Sequence, residues 1–146
     1  MKKMIEFDNY TRKVFYYETD KMGIVHHSNY IRMFEETRIY LLEKAGLDFA
    51  GIESLGYLSP VLSVNCEYKY SLKFGDEFYV KVKLSEFGNV RYGFSYEIIR
   101  SDGQLCATGN STHCFTDTDG KVVSLKRVNR DLYDRFMSLK EGMADA

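Results

Sequence analysis

The chain is short of the residues that break strands or staple small folds. Proline occurs once, at Pro60, in 146 residues. That argues against a loop-rich fold and for long strands. Cys66, Cys106 and Cys114 are an odd set without C-x-x-C spacing. They exclude a disulfide framework and a cysteine zinc site, and point to free thiols in a reducing cytoplasm. Charge of one sign is missing too: 20 basic residues stand against 21 acidic ones, a net charge of -1. Bulk electrostatics therefore name neither nucleic acid nor an anionic membrane as partner. No stretch approaches the roughly eighteen apolar residues of a membrane span. The basic start MKKMIEFDNY has no apolar run behind it, so residues 1–9 read as a leader and not as a signal peptide.

Aromatic side chains are plentiful, with 12 Tyr and 10 Phe. The length predicts one domain, residues 1–146, large enough to bury roughly two-thirds of its unfolded surface. Arg12 to Tyr17 reads as a first strand. Residues 48–59 read as a connector, and Pro60 suits the start of a strand running from Val61 to Ser71. Phe78, Val80, Val82 and Leu84 alternate with polar neighbours, the clearest half-buried strand of the chain. Val90 to Ile98 alternates again, and Leu105 to Thr116 gives a further strand. Gly75-Asp76, Gly88-Asn89, Asp102-Gly103 and Asp119-Gly120 mark the turns. Asn129 caps a short final helix with Leu132, Phe136 and Leu139 on one face. The short turns predict that the last four strands are antiparallel neighbours. The fold class is α+β: a curled antiparallel sheet of about five strands wrapped around one long central helix.

That helix dominates the reading. Tyr30, Phe34, Thr37, Leu41 and Ala45 fall on one stripe at spacings of three and four, flanked by Ile31, Arg38 and Leu42. Ser28 or Asn29 serves as N-cap, and Gly46 is the left-handed stop. Ahead of it lies the acidic loop Glu18-Thr19-Asp20-Lys21-Met22-Gly23. A carboxylate just before a helix start supplies two chemical tools together: a basic or nucleophilic oxygen, and unpaired backbone N–H donors.

The run D-x-x-G-[IV]-V-x-H-x-x-Y followed by F-x-x-x-R is carried by Asp20, Gly23, Ile24, Val25, His27, Tyr30, Phe34 and Arg38. With Glu67-Tyr68 followed by Asp76, it resembles the hotdog-fold acyl-CoA thioesterases, most closely the 4-hydroxybenzoyl-CoA thioesterase family and its short-chain acyl-CoA relatives. The likeness covers roughly residues 10–125. It implies a hotdog fold and hydrolysis of a short-chain or aromatic acyl-CoA to acid and CoA, without cofactor or metal. Asp20 would act as nucleophile, through a mixed anhydride, or as general base. The backbone N–H of His27 would sit on the thioester oxygen, where one preorganised donor is worth about 3 kcal/mol in the transition state. Gly23 would bring the loop backbone close to the substrate. Tyr30 would line the pocket and Arg91 would help hold coenzyme A. The resemblance also implies a homodimer or a dimer of dimers, with the active site between subunits. The chain departs from the family at Glu18, where Asp is frequent, at His26, where a hydroxyphenyl is frequent, and at Ser71, where proline is frequent.

Plainer readings stand beside these. An aspartate before a helix is most often a turn or cap residue. His26 and His27 are adjacent, point in different directions and lack an evident third metal ligand. Glu35 and Arg38, spaced i, i+3, suit a structural ion pair. The lysines Lys69, Lys73, Lys81 and Lys83 suit a solvated sheet face. A hydratase is one alternative within the fold, though the H-F-P-like segment such enzymes carry is absent. A non-catalytic acyl-CoA or apolar-ligand binding domain is the alternative from another class.

Overall fold

The computed structural model describes residues 7–143; most of the expected leader lies outside them. In chain order the elements are β1 (Tyr10–Lys13), a short 3-10 turn (Tyr16–Glu18), α1 (Ser28–Lys44), α2 (Phe49–Ser54), β2 (Val61–Tyr68), β3 (Glu77–Phe87), β4 (Arg91–Arg100), β5 (Leu105–Thr116), β6 (Val122–Val123), α3 (Leu125–Val128) and α4 (Arg130–Met143). The antiparallel sheet runs β1-β3-β4-β5-β2, with the two-residue β6 beside β5. This is the hotdog arrangement: α1 lies along the sheet, and α4 packs against it through Phe136, which meets Phe87, Tyr92 and Phe115.

The helix stripe is buried as its spacing predicts, with Tyr30, Phe34, Thr37 and Leu41 enclosed and Met33 added. Its seat on the sheet is one close contact. The Phe34 ring stacks on Tyr96 of β4 at 4.3 Å between centroids and 10° between planes. It also lies directly over Gly109 of β5, the partner of Tyr96 in the β4–β5 register. A Cβ on Gly109 would overlap the Phe34 ring and the Asn65 carbonyl of β2. Glycine is present here for space and not for turning the chain.

Three expectations are corrected. The last four strands are not consecutive neighbours: β3, β4 and β5 are, but β2 pairs with β5 at the far side of the sheet from β1 and β3. The chain after β2 crosses the mouth of the sheet, and on the way Leu72 and Lys73 pair with Val25 and Ile24. The eight residues from Lys69 to Asp76 join β2 to β3 over a length that suits a hairpin, and only long-range pairing reveals the crossing. The first strand stops at Lys13, since Glu18 turns inward to Arg12 and coils residues 16–18. The connector 48–59 contains α2, capped by Asp48, which accepts from the Gly51 N–H at 3.1 Å. Six residues with a glycine inside are too few to show helical periodicity.

Inside the sheet runs a polar chain that hydrophobic patterning did not predict. Arg38 reaches the Tyr96 hydroxyl at 3.5 Å, that hydroxyl bonds Ser111 at 2.6 Å, and Ser111 Oγ meets His113 Nε2 at 2.7 Å. All four residues are buried. Burial, and secondarily the Arg38 charge, push the His113 pKa down to about 4. The expected Glu35–Arg38 ion pair is present at 3.6 Å, on the solvent side of this chain.

Two consequences can be measured. Gly109→Ala forces α1 off the sheet and should lower stability by about 3 kcal/mol, read as the denaturant midpoint; an unchanged midpoint would refute this packing. His113 has a folded pKa below its ordinary value, so protons favour the unfolded chain. Its contribution is complete above about pH 6.5 and is lost as pH falls toward 4. His113→Phe keeps the ring stacked on Tyr92 and should flatten the drop in thermal midpoint between pH 7 and 5. Equal drops in the two proteins would exclude His113 as the cause.

Candidate active site

The loop before α1 is built by its own hydrogen bonds. Asp20 N–H donates to the Ile24 carbonyl at 2.9 Å, and Gly23 N–H donates to the Asp20 carbonyl at 2.9 Å. Gly23 has φ +77°, a left-handed position that favours glycine. The Asp20 carboxylate takes the Met22 N–H on Oδ1 at 2.8 Å. Asp20 is thus the turn residue the plainer reading describes, and Oδ2 has no protein partner among the described residues.

The start of α1 differs from the expected N-cap. The cap position is His27, already helical at φ -53° and ψ -32°, with no side-chain cap bond. Ser28 Oγ is engaged with His26 Nδ1 at 2.9 Å, and the Asn29 side chain donates back to the Glu18 carbonyl at 2.9 Å. The neighbouring amides are occupied. His26 N–H donates to the Glu18 carbonyl, Ser28 N–H to the His26 ring, Asn29 N–H to the His26 carbonyl and Tyr30 N–H to the His27 carbonyl. Among the amides from His26 to Tyr30, the His27 N–H alone has no acceptor among the described residues. It lies at the positive end of the helix dipole, about half a unit charge. From the opposite side, the Tyr68 hydroxyl donates to the His27 carbonyl at 2.9 Å, and its ring packs edge-on against Tyr30 at 5.0 Å.

Asp20 and His27 line one cavity of about 230 Å³, together with Met22, Ile24, Tyr30 and Tyr68. Tyr30 is buried, and burial pushes its phenol up to about 12, so it stays protonated. Gly23 lies between two lining residues without itself facing the cavity, and Arg91 stands exposed at the start of β4, outside the lining. A larger cavity of about 390 Å³ lies between Tyr10, Tyr40, Val82 and Tyr96. It contains neither Asp20 nor His27. No cluster of three metal-ligating side chains occurs among the described residues.

Sequence reasoning gave Tyr68 no contact with the helix start and Arg12 no part beyond opening a strand. Arg12 lies in a strand eight residues before Asp20, and nothing local pairs it with the loop. The only signal for Tyr68 was its place in the Glu67-Tyr68 match.

Known proteins resemble the chain over most of its length. A candidate esterase of Aquifex aeolicus is 39% identical over 118 residues, 81% of this chain and 91% of that protein. A candidate acyl-CoA thioesterase of Bacillus subtilis is 29% identical over 130 residues, 88% of this chain and 94% of that one. The structure of a DHNA-CoA thioesterase from Staphylococcus aureus superposes with a TM-score of 0.86 at 30% identity, covering 91% of this chain and 90% of that one. The model of the thioesterase-like superfamily matches residues 14–145. With that match spanning nearly the whole chain, and with the hotdog order of its strands and central helix, the protein belongs to the thioesterase-like superfamily of thioester hydrolases.

Proposed function

We propose that the chain hydrolyses a short-chain or aromatic acyl-CoA thioester to the free acid and CoA. The observation that carries this reading is the unpaired His27 N–H in the same cavity as the Asp20 carboxylate. The thioester oxygen accepts from that N–H, whose donation strengthens as negative charge develops on the oxygen. Asp20 Oδ2 either attacks the carbonyl carbon, expelling the CoA thiolate and leaving a mixed anhydride for water, or takes a proton from the attacking water. The aromatic lining, Tyr30 and Tyr68, supports a flat or short acyl group. Relatives named for acyl-CoA and DHNA-CoA thioesters support the carrier. Arg91, outside the cavity, is assigned to the long CoA tail. The three free thiols support a cytoplasmic setting, and no helix among the described residues is long and apolar enough to cross a membrane.

We also propose that the protein is a homodimer or a dimer of dimers. None of the eight residues of β2 is buried, including Val61, Leu62, Val64 and Tyr68, and the strand pairs on one side only, with β5. An apolar edge of this length is a template for another strand. A second copy pairing along β2 would also cover the rim of the cavity at Tyr68.

Thiol release from a panel of acyl-CoA esters tests the activity. Asp20→Asn should lose at least about 100-fold in kcat. Wild-type rates in that variant would remove Asp20 from the chemistry, and acyl-CoA binding without thiol release would favour a non-catalytic binding domain. Light scattering tests the assembly: wild type should give twice the chain mass or a multiple. Val64→Lys, placing a charge on the β2 face, should shift it toward a single chain, and a monomeric wild type would end the proposal.

A further inference from the structure

One cluster beside the cavity has no part in the reaction as proposed. Arg12 of β1 forms a two-pronged ion pair with Glu18, at 2.7 and 2.8 Å, and holds Glu36 of α1 at 2.9 and 3.2 Å. Glu36 also accepts from the Tyr10 hydroxyl at 2.9 Å. Glu18 is only 3% exposed, an uncommon place for a carboxylate two residues from a solvated loop. Its Oε1 takes the Phe15 N–H at 2.8 Å as well. Burial alone would raise the Glu18 pKa, but the Arg12 hydrogen bonds and charge and the Phe15 N–H outweigh it, and the carboxyl lies below its ordinary value. The guanidinium also stacks on the Phe15 ring at 4.4 Å.

The other end of Glu18 bears on the helix start. Its backbone carbonyl accepts two bonds, from the His26 N–H at 2.8 Å and from the Asn29 side chain at 2.9 Å. One residue therefore has its side chain anchored to β1 and its carbonyl anchored to the residue before His27. Asp20 follows it by two positions. The Arg12 side chain closes the loop back to α1 through Glu36.

We propose that Arg12 and Glu18 are positioning residues: they set the distance and angle between the Asp20 carboxylate and the His27 amide. A glutamate suits this task here because its length lets it reach Arg12 while its carbonyl stays under the helix start. Arginine suits it because a planar fork grips Glu18 with two parallel bonds while its Nε holds Glu36, a fixed geometry that an ammonium lacks. The inference rests on the proposed roles of Asp20 and His27. A displacement of about 1 Å between reacting groups can cost up to about 100-fold in rate, so loss of the clamp should be seen in the chemical step.

The test uses Glu18→Gln, Glu18→Ala and Arg12→Lys in the full-length protein, assayed by thiol release from the best acyl-CoA of the panel. Circular dichroism and thermal midpoints are measured on the same samples. Glu18→Gln keeps the length and the Phe15 bond, so it folds even where Glu18→Ala does not. The expected result is a loss in kcat of roughly tenfold for Glu18→Gln with KM changed less than about twofold. Arg12→Lys should lose a similar amount. Combining Glu18→Gln with Asp20→Asn should add little to the loss from Asp20→Asn alone, because the clamp acts through Asp20. Folded clamp variants with wild-type kcat, a loss confined to KM, or full additivity with Asp20→Asn would each overturn the inference. Wild-type rates in Asp20→Asn would instead overturn the reading beneath it, so the two failures are distinguishable.

Discussion

The contact between Phe34 and Gly109 sets the geometry on which the rest depends. A helix can slide and roll on an antiparallel sheet unless a close contact fixes it, because dispersion between apolar surfaces is weakly directional. Here the ring lies flat on Tyr96 and occupies the space a side chain at 109 would fill. That choice fixes the height of α1 along β4 and β5. The helix start, two turns before Phe34, is then held at the end of the sheet where the crossing segment after β2 meets Ile24 and Val25. A cavity bounded by loop, helix start and crossing segment follows from this arrangement.

The helix start is unusual in the way its donors are used. A serine or asparagine cap would ordinarily spend its oxygen on the first free amides. Ser28 and Asn29 are present, but one bonds the His26 ring and the other donates to Glu18. The result is a stable helix end with a single amide left over. His27 is exposed, so water takes up the donor that the protein leaves free, at little cost in stability. Around it the structure is stiff: Tyr68 holds the carbonyl of the same residue, and Gly23 holds the loop turn. In the proposed reaction such stiffness would serve electrostatic stabilisation, because donors already in place need not reorganise as charge develops.

The buried line Arg38–Tyr96–Ser111–His113 is a second departure from an oil-like core. Its groups satisfy one another, and no buried side-chain polar atom among the described residues lacks a partner. Such networks specify one packing over its neighbours, because a shifted register would strand several polar groups at once. The line connects α1, β4 and β5, the same three elements that meet at Phe34 and Gly109.

Much of the fold was legible because it is written in local periodicity. The alternation of Phe78 to Leu84, the stripe from Tyr30 to Leu41, the Asn129 cap, whose side chain accepts from the Leu132 N–H, and the glycine at position 46 with φ +75° all follow from spacing and backbone freedom. The motif around Asp20 and His27 was legible as a resemblance, and the structure adds that both line one cavity. The sequence alone determined the long strands and the two long helices, since hydrophobic period and turn residues act within a few positions. The tertiary structure alone decided that β2 leaves its neighbour to pair with β5, that Arg12 reaches across to Glu18 and Glu36, and that the cap side chains turn away from the His27 amide. Those are outcomes of competition between distant partners for the same hydrogen bonds and the same buried space, which no window of neighbouring residues contains.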